Sequence, residues 1–577
     1  MNSPQNNHLD HPPHAAATTD NDSLTVPLTS PSQVLHSTRP ANAIEALKAS
    51  MDGRPLRILG ELPHIIERGV AALTPAEKEL LKWLGVFYRR PTPGKFMMRI
   101  RMPNGFVTSA QLRAIADLSR RLGNHVLDIT TRQQIELRGF TLDSIPEIWQ
   151  KLRGLDLRSL QTGLDNVRNL NGCALAGLTP HELFDASPVV HDLDRLIVGI
   201  RGNPEFANLP RKFNITITGC LDNCTHDESQ DIALVPAKKG QRFGFNVLVG
   251  GKMGSGGFTV AAHLNVFVEI YQAPAVVLEL IKIFRDHGPR EARAKSRFAF
   301  LVQKWGILRL RAELTSRMGY ELALQGRDVR GVHHADHLGL TSQKQTGLLA
   351  VGLCIPTGRV NPGQLDELAR LADVYGSGEV RLTTGQNAVI PNIPAHRAPQ
   401  LFKEPLLETF SPRPHPFVRG LVACVGTDYC NLALIETKSR AVALSQALHK
   451  KLGSRIAPLS IHWSGCPAGC GNHEAADLGL RGFRTRVDGK LVDAVAVYAG
   501  GRTGAFAKPG KEILASVPCD ESLPDVIAGV LRSSHLSAES GQDSTNDPFF
   551  TAAATAGLAS WRPSPGFAVL NSALGAA

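Results

Sequence analysis

Apolar positions along the chain follow two alternating rhythms. In "QLRAIADLSRRL" (111–122) and "QLDELARLADVY" (364–375) they recur three and four positions apart, the spacing of one helix face. In "RFGFNVLVGG" (242–251) and "DAVAVYAGG" (493–501) apolar residues crowd into short runs closed by a glycine pair, as in strands that end in turns. Helical and strand runs interleave, so the expected fold is α+β with mixed α/β character. The pattern fails at both ends. Residues 1–40 are rich in Pro, Asn, His, Ser and Thr and hold too few large apolar side chains to offset the entropy of ordering. Residues 535–577 are rich in Ser, Ala, Gly and Pro, with Phe549, Phe550 and Trp561 as docking points. Both ends are expected to be flexible tails, the first extending to about residue 45.

The rhythm also repeats on a long scale. "RMPNGFVTSAQLRAIADLSRRLGNHVLDITTRQQI" aligns with "CIPTGRVNPGQLDELARLADVYGSGEVRLTTGQNA", pairing Pro103 with Pro356, Thr131 with Thr384 and Gln133 with Gln386 at one offset of 253 residues. "ITITGCLDNCTHDESQDIAL" aligns with "SIHWSGCPAGCGNHEAADLGL", pairing Cys220 with Cys466, Cys224 with Cys470 and Asp231 with Asp477 at an offset of 246. "VLVGGKMG" then aligns with "VYAGGRTG". Three blocks in the same order mean two copies of one large unit. A ligand site at their junction is expected, because pockets favour such interfaces.

The copies differ where chemistry is to be sought. Only the second has an upstream Cys-x5-Cys, so Cys424, Cys430, Cys466 and Cys470 form a four-thiolate set. That spacing is wider than the Cys-x2-Cys of most zinc ribbons and favours an iron–sulfur cluster. Small residues around it (Gly465, Gly469, Gly471) let backbone N–H groups approach cluster sulfurs. The first copy lacks the upstream pair, so Cys220 and Cys224 are expected not to be cluster ligands. Cys173, Cys354 and Cys519 have no visible partner and read as ordinary buried or semi-buried thiols. The first copy instead carries cations: Arg132 stands against Gly385, Lys212 against Pro458, and Arg99 and Arg168 complete the set. Arginine forks and a mobile lysine charge suit a small oxyanion.

Composition narrows the class. The chain has 577 residues, 43% apolar and 20% charged, with nine cysteines clustered in a way that points to metal or redox chemistry. No apolar run reaches the length of a membrane span. The first Lys or Arg is Arg39, which fits neither a secretory nor an organelle leader, so a cytoplasmic protein is expected. No dinucleotide fingerprint or Walker A sequence stands in the needed context, and "GGKMGSGG" reads as a structural element because its twin is "GGRTGAF". Electrons must then come from a separate carrier, and a formal charge of +11 would steer an acidic one. Nucleic acid is the weaker partner, with no recognisable binding module and aromatics at 6%.

Together, "CVGTDYC…SGCPAGC", "TTRQ", "DNVRN", "PRKFN", "QTG…VGLCIPTGR" and "RLTTGQN" resemble the assimilatory nitrite and sulfite reductases, which hold sirohaem coupled to a [4Fe–4S] cluster. The resemblance runs from Lys82 to about Val530. It implies two pseudo-symmetric halves, each a ferredoxin-like half-domain followed by a sirohaem- and cluster-binding domain. The expected bounds are 46–160 with leading helices, 161–330 with the anion-site cations, 331–412, and 413–534 with the cluster cysteines. It implies that Cys470 bridges cluster and haem iron while Cys424, Cys430 and Cys466 hold the other irons. The sulfite-type ring of two Arg and two Lys becomes Arg99, Arg168, Lys212 and Asn214 here. Losing one cation lowers the preference for a dianion, so nitrite is the expected substrate and sulfite the alternative. Arg132 is expected on a sirohaem carboxylate, with Arg138, Arg211, Arg297, Arg359 and Gln386 as further candidates. The activity implied is reduction of nitrite to ammonium by a monomer fed by reduced ferredoxin. More remote alternatives are an iron–sulfur redox protein without catalysis and a relative acting on a corrin-type ring.

Overall fold

The computed structural model describes residues 42–533, apart from 255–256, 332–334, 455–457 and 505. The C-terminal tail and residues 1–41 of the N-terminal one lie outside the described residues. Ordered structure starts before residue 45, because Asn42 caps the helix Ala43–Ala49, its side chain accepting from Ile44 and Glu45 N–H at 3.0 and 3.2 Å. Satisfying those orphan donors starts the helix, and Lys48 then anchors it on Asp165 at 2.9 Å.

Two five-stranded antiparallel sheets carry the first repeat block. One runs Val86–Tyr88, Phe96–Ile100, Ile135–Phe140, Leu127–Ile129 and Arg359–Val360. The other runs Gly339–Ser342, Leu348–Leu353, Ala388–Pro394, Glu379–Leu382 and Phe106–Thr108. The last strand of each comes from the opposite copy: Arg359 pairs with Asp128, and Phe106 with Arg381. Each copy therefore covers an edge of the other's sheet, closing off unpaired N–H and C=O groups.

The exchange is locked by turns that obey the same symmetry. Pro103-Asn104-Gly105 and Pro356-Thr357-Gly358 precede the exchanged strands with positive φ at both later positions. A side chain at Gly105 would lie 2.4 Å from Leu382 O, and one at Gly358 2.6 Å from Ile129 O, so backbone from the two copies meets where only glycine fits. Gln133 and Gln386, also at positive φ, bridge the copies: Gln133 Nε2 donates to Leu382 O at 2.8 Å and Gln386 Nε2 to Ile129 O at 3.0 Å. Thr108 with Gln111, and Asn361 with Gln364, form capping boxes that start the predicted helices Ser109–Arg121 and Pro362–Tyr375. Those helices pack together, Arg113 on Asp373 and Arg120 on Asp366, each pair exposed.

The second repeat block builds two sheets that share one five-strand order, the first with the short strand Arg327–Asp328 added at Ala237 and Lys238. Val167–Asn171, Phe213–Ile217 and Ile232–Lys239 run parallel, followed by the antiparallel Arg242–Val249 and Ala262–Glu269. Gly420–Ala423, Ser460–Ser464, Leu478–Val487, Lys490–Ala499 and Lys511–Pro518 repeat that order. Every cysteine of the repeated motifs lies in a loop just beyond the C-terminal end of a parallel strand, where α/β sheets bind ligands. One apolar core runs from Met51 to Phe410, and a second serves the sheet of Phe417–Leu531. The glycine loops are paired structural elements, with bridges Lys252–Thr259 and Arg502–Lys508. Each reaches the opposite copy: Gly254 abuts Ala468 and Gly469, and Gly504 N–H donates to Glu228 at 3.1 Å.

Candidate active site

A cavity of about 970 Å³ opens between the copies, at the upper end of the usual size of small-molecule sites. Its wall holds Cys424, Cys430, Cys466 and Cys470 together with Arg99, Arg132, Arg168 and Arg211. Cys424 follows the strand Gly420–Ala423, Cys430 the short helix Gly426–Tyr429, and Cys466 and Cys470 the strand Ser460–Ser464. Backbone N–H groups already face two of the sulfurs: Gly465 donates to Cys424 Sγ at 3.2 Å and Leu432 to Cys430 Sγ at 3.4 Å.

The cations are short of partners. Arg168 spends Nε on Leu164 O at 2.8 Å, and Arg132 spends Nε on Asn214 Oδ1 at 2.9 Å. Arg211 and Lys212 make no hydrogen bond among the described residues, and the buried Arg211 Nε has no acceptor. Burial and then mutual repulsion lower all four. Arg168 falls well below its ordinary value, and Arg132 is pushed down to about 10, with Arg99 the largest repelling charge for both. Arg211 also falls to about 10, repelled by Arg293. Lys212 drops well below the usual lysine range, repelled by Arg132 and Arg297. Lys212 and Asn214 adjoin the cavity without lining it.

The remaining expected residues are held differently. Arg99 stays on the wall with Nε and Nη2 donating to Glu136 Oε1 at 3.0 and 2.7 Å. Arg138 is fully buried against Asp128 and Glu136, Arg297 lies on Asp231 at 2.7 Å, and Arg359 spans Asp128 and Asp428 at 3.1 and 2.7 Å. None of these three lines the cavity; each is held by carboxylates in the frame around it. Gln386 does line it, but its amide is used on Ile129 O and Ala423 N–H. Asn214, expected in the substrate ring, has its carbonyl oxygen committed to Arg132.

Sequence reasoning missed Asp128 and Glu136, cross-strand neighbours that gather Arg99, Arg138 and Arg359. The 253-residue offset sets them against Arg381 and Val389, so the comparison that isolated Arg132 held this signal too. It also missed Lys438, buried on the wall 3.5 Å from Asp128. Cys173 is not partnerless as expected: its Sγ lies 3.2 Å from His337 Nε2, beside Cys220 and Cys224. No helix among the described residues is long and apolar enough to cross a membrane.

Comparison with known proteins agrees with this architecture. The family description "Nitrite and sulphite reductase 4Fe-4S domain" matches residues 163–322 and 415–533, and "Nitrite/Sulfite reductase ferredoxin-like half domain" matches 88–155 and 341–407. The ferredoxin–nitrite reductase of Synechococcus elongatus is 43% identical over 86% of this chain and 98% of its own. The chloroplastic ferredoxin–nitrite reductase of Arabidopsis thaliana is 41% identical over 78% of each chain. The assimilatory ferredoxin-dependent nitrite reductase of Haloferax mediterranei is 37% identical over 87% of this chain and 90% of its own. The solved structure of the Mycobacterium tuberculosis NirA protein superposes with a TM-score of 0.81 at 28% identity, covering 88% of this chain and 96% of that one. With the duplicated fold, the cysteine loops and these matches in agreement, the chain belongs to the nitrite and sulphite reductase family.

Proposed function

We propose that this chain is a ferredoxin-dependent nitrite reductase, converting nitrite to ammonium with six electrons and eight protons. One observation carries the reading: four cysteines and three half-buried cations without carboxylate partners (Arg132, Arg168, Arg211) line one cavity, with the buried Lys212 beside it. Buried cations are costly unless an anion answers them. The donor set therefore fits a polycarboxylate macrocycle, a thiolate-held cluster and a small oxyanion. Cys424, Cys430, Cys466 and Cys470 would hold the cluster, with Cys470 shared with the sirohaem iron. Arg132 and Arg211 would take macrocycle carboxylates. When bound, sirohaem and [4Fe–4S] supply the iron that takes nitrite and the one-electron steps.

The chain's own groups do the rest. Arg168 and Arg99 present guanidinium N–H groups to the oxyanion, and Glu136 fixes the direction of Arg99. Asn214 Oδ1 fixes the direction of Arg132, and its amide N–H groups would donate to the substrate. Lys212 is the proton source closest in character to the need, because its depressed affinity lets it give up a proton readily. An anion entering the site raises that affinity again, so binding and proton uptake are linked. Its mobile stem and lack of a partner leave the ammonium free to turn toward the substrate.

Ferredoxin is the donor named for the relatives, and the basic balance of this chain suits an acidic carrier. The same reading takes the chain as a cytoplasmic monomer, to be tested by sedimentation and fractionation. The central test uses purified, cofactor-loaded protein with reduced ferredoxin. Nitrite consumed should equal ammonium formed, and nitrite should turn over faster than sulfite measured side by side. Faster sulfite turnover would reassign the substrate, and cluster absorption without sirohaem bands would end the reductase reading.

A further inference from the structure

The first copy holds a cysteine group of its own. Cys173, Cys220, Cys224 and His337 are all buried, and their ligand atoms lie within 4.8 Å of one another. No other group of His, Cys, Asp and Glu is gathered this tightly among the described residues. Strand register shows its origin. Leu170 pairs with Ile215 as Leu421 pairs with Ile461, which places Cys173 where the second copy has Cys424. Cys220 and Cys224 match Cys466 and Cys470. Only Cys430 has no counterpart, and His337 arrives from the segment leading into the second copy's first sheet.

We propose that these four side chains bind a single zinc ion, a structural site distinct from the cluster and independent of the reductase reading. The geometry selects the nuclearity. Thiolates and an imidazole around one tetrahedral zinc stand about 3.5–4 Å apart, from bond lengths of about 2.3 and 2.0 Å. A four-iron cluster is wider and spreads its ligands further. The sulfurs are arranged as thiolate acceptors: Leu175 N–H donates to Cys173 Sγ at 3.3 Å and Asp222 N–H to Cys220 Sγ at 3.4 Å, each two residues on. Those bonds repeat the pattern of Leu432 on Cys430 at the cluster loops. Ala174, Leu175, Leu178, Ala350 and Val389 pack around the cysteines, while Gln133, Asp336, Thr383 and Thr384 stand on the side of His337. A void of about 20 Å³, enough for one water- or ion-sized occupant, touches Cys224 and His337.

His337 is held in place by the fold. It sits at φ 56°, a left-handed conformation that few non-glycine residues adopt. A side chain at Gly352 would fall 1.7 Å from His337 O, so the backbone is wedged against the strand Leu348–Leu353. The ion would tie this segment, from the second copy, to two loops of the first. Binding would release the protons of three thiols, and the two positive charges of the ion would offset two of the three negative ones.

The test begins with wild-type holoenzyme. Elemental analysis should find one zinc per chain beside the cluster and haem iron. X-ray absorption at the zinc edge should show three sulfurs at about 2.3 Å and one nitrogen at about 2.0 Å. Cys220→Ser with Cys224→Ser should lose the zinc and keep all the iron. His337→Cys should retain the zinc with four sulfurs, which guards against a double variant that fails to fold. Zinc well below one per chain, a first shell without sulfur, or a disulfide among these cysteines in unreduced wild type would each overturn the proposal.

Discussion

Replacing Glu136 by glutamine is expected to weaken the protein and to flatten the acid side of its stability profile. The carboxylate is buried, with Oε1 accepting twice from Arg99 and Oε2 accepting from Arg138. Burial works to raise its pKa, but Arg138, Arg99 and Arg89 outweigh it and hold the group at about 2 rather than 4.5. The folded value lies below the unfolded one. The contribution to stability is therefore complete above pH 4.5 and is lost as the pH falls toward 2. That displacement is worth on the order of 3 kcal/mol. A separate route gives a similar size, since removing one member of a buried ion pair costs roughly 3–5 kcal/mol. Urea unfolding of wild type and Glu136→Gln, compared from pH 7 down to about pH 3, reads both. The gap should be near 3 kcal/mol at pH 7 and shrink as wild type protonates. A gap under about 1 kcal/mol at pH 7, or one constant across the range, would refute the account of Glu136 as a charge held by three arginines.

Lys212→Met should act in the opposite sense on stability. It removes an unpaired buried cation, so the melting point should hold or rise, while kcat/KM for nitrite falls by about a hundredfold. In wild type the alkaline limb of the rate profile should begin well under pH 10.5, and Lys212→Arg should move it upward. Cys466→Ser should lose the iron–sulfur signal in electron paramagnetic resonance, whereas Cys220→Ser with Cys224→Ser should keep it. Gln133→Ala strands Leu382 O and both backbone groups of Gly172, and should cost roughly 2–4 kcal/mol in denaturant midpoints.

The duplication was legible because both copies kept side chains that the fold constrains. Helix caps (Thr108 with Gln111, Asn361 with Gln364), positive-φ turns and the two bridging glutamines need particular residues at particular places, and such residues persist at a constant offset. Breaks in that offset led to the cavity cations, and pursued further would have reached Glu136 against Val389. Roles within the cation set were not legible. Arg132 and Arg138 look alike along the chain, and only folding shows that carboxylates claim Arg138 while Arg132 meets an amide.

The amino-acid sequence alone determined the two-copy plan, the helices and strands, the cluster cysteines expected in the second copy and the surplus of cations in the first. Each of these rests on local spacing, or on a motif repeated within the chain. The tertiary structure decided which copy closes which sheet, because the exchanged strands at Phe106–Thr108 and Arg359–Val360 are too short to declare a partner. It also decided what becomes of Cys173, Cys220 and Cys224. His337 stands 113 positions beyond Cys224, in no motif with it, and only the packing of one copy against the other brings its imidazole to the three thiols.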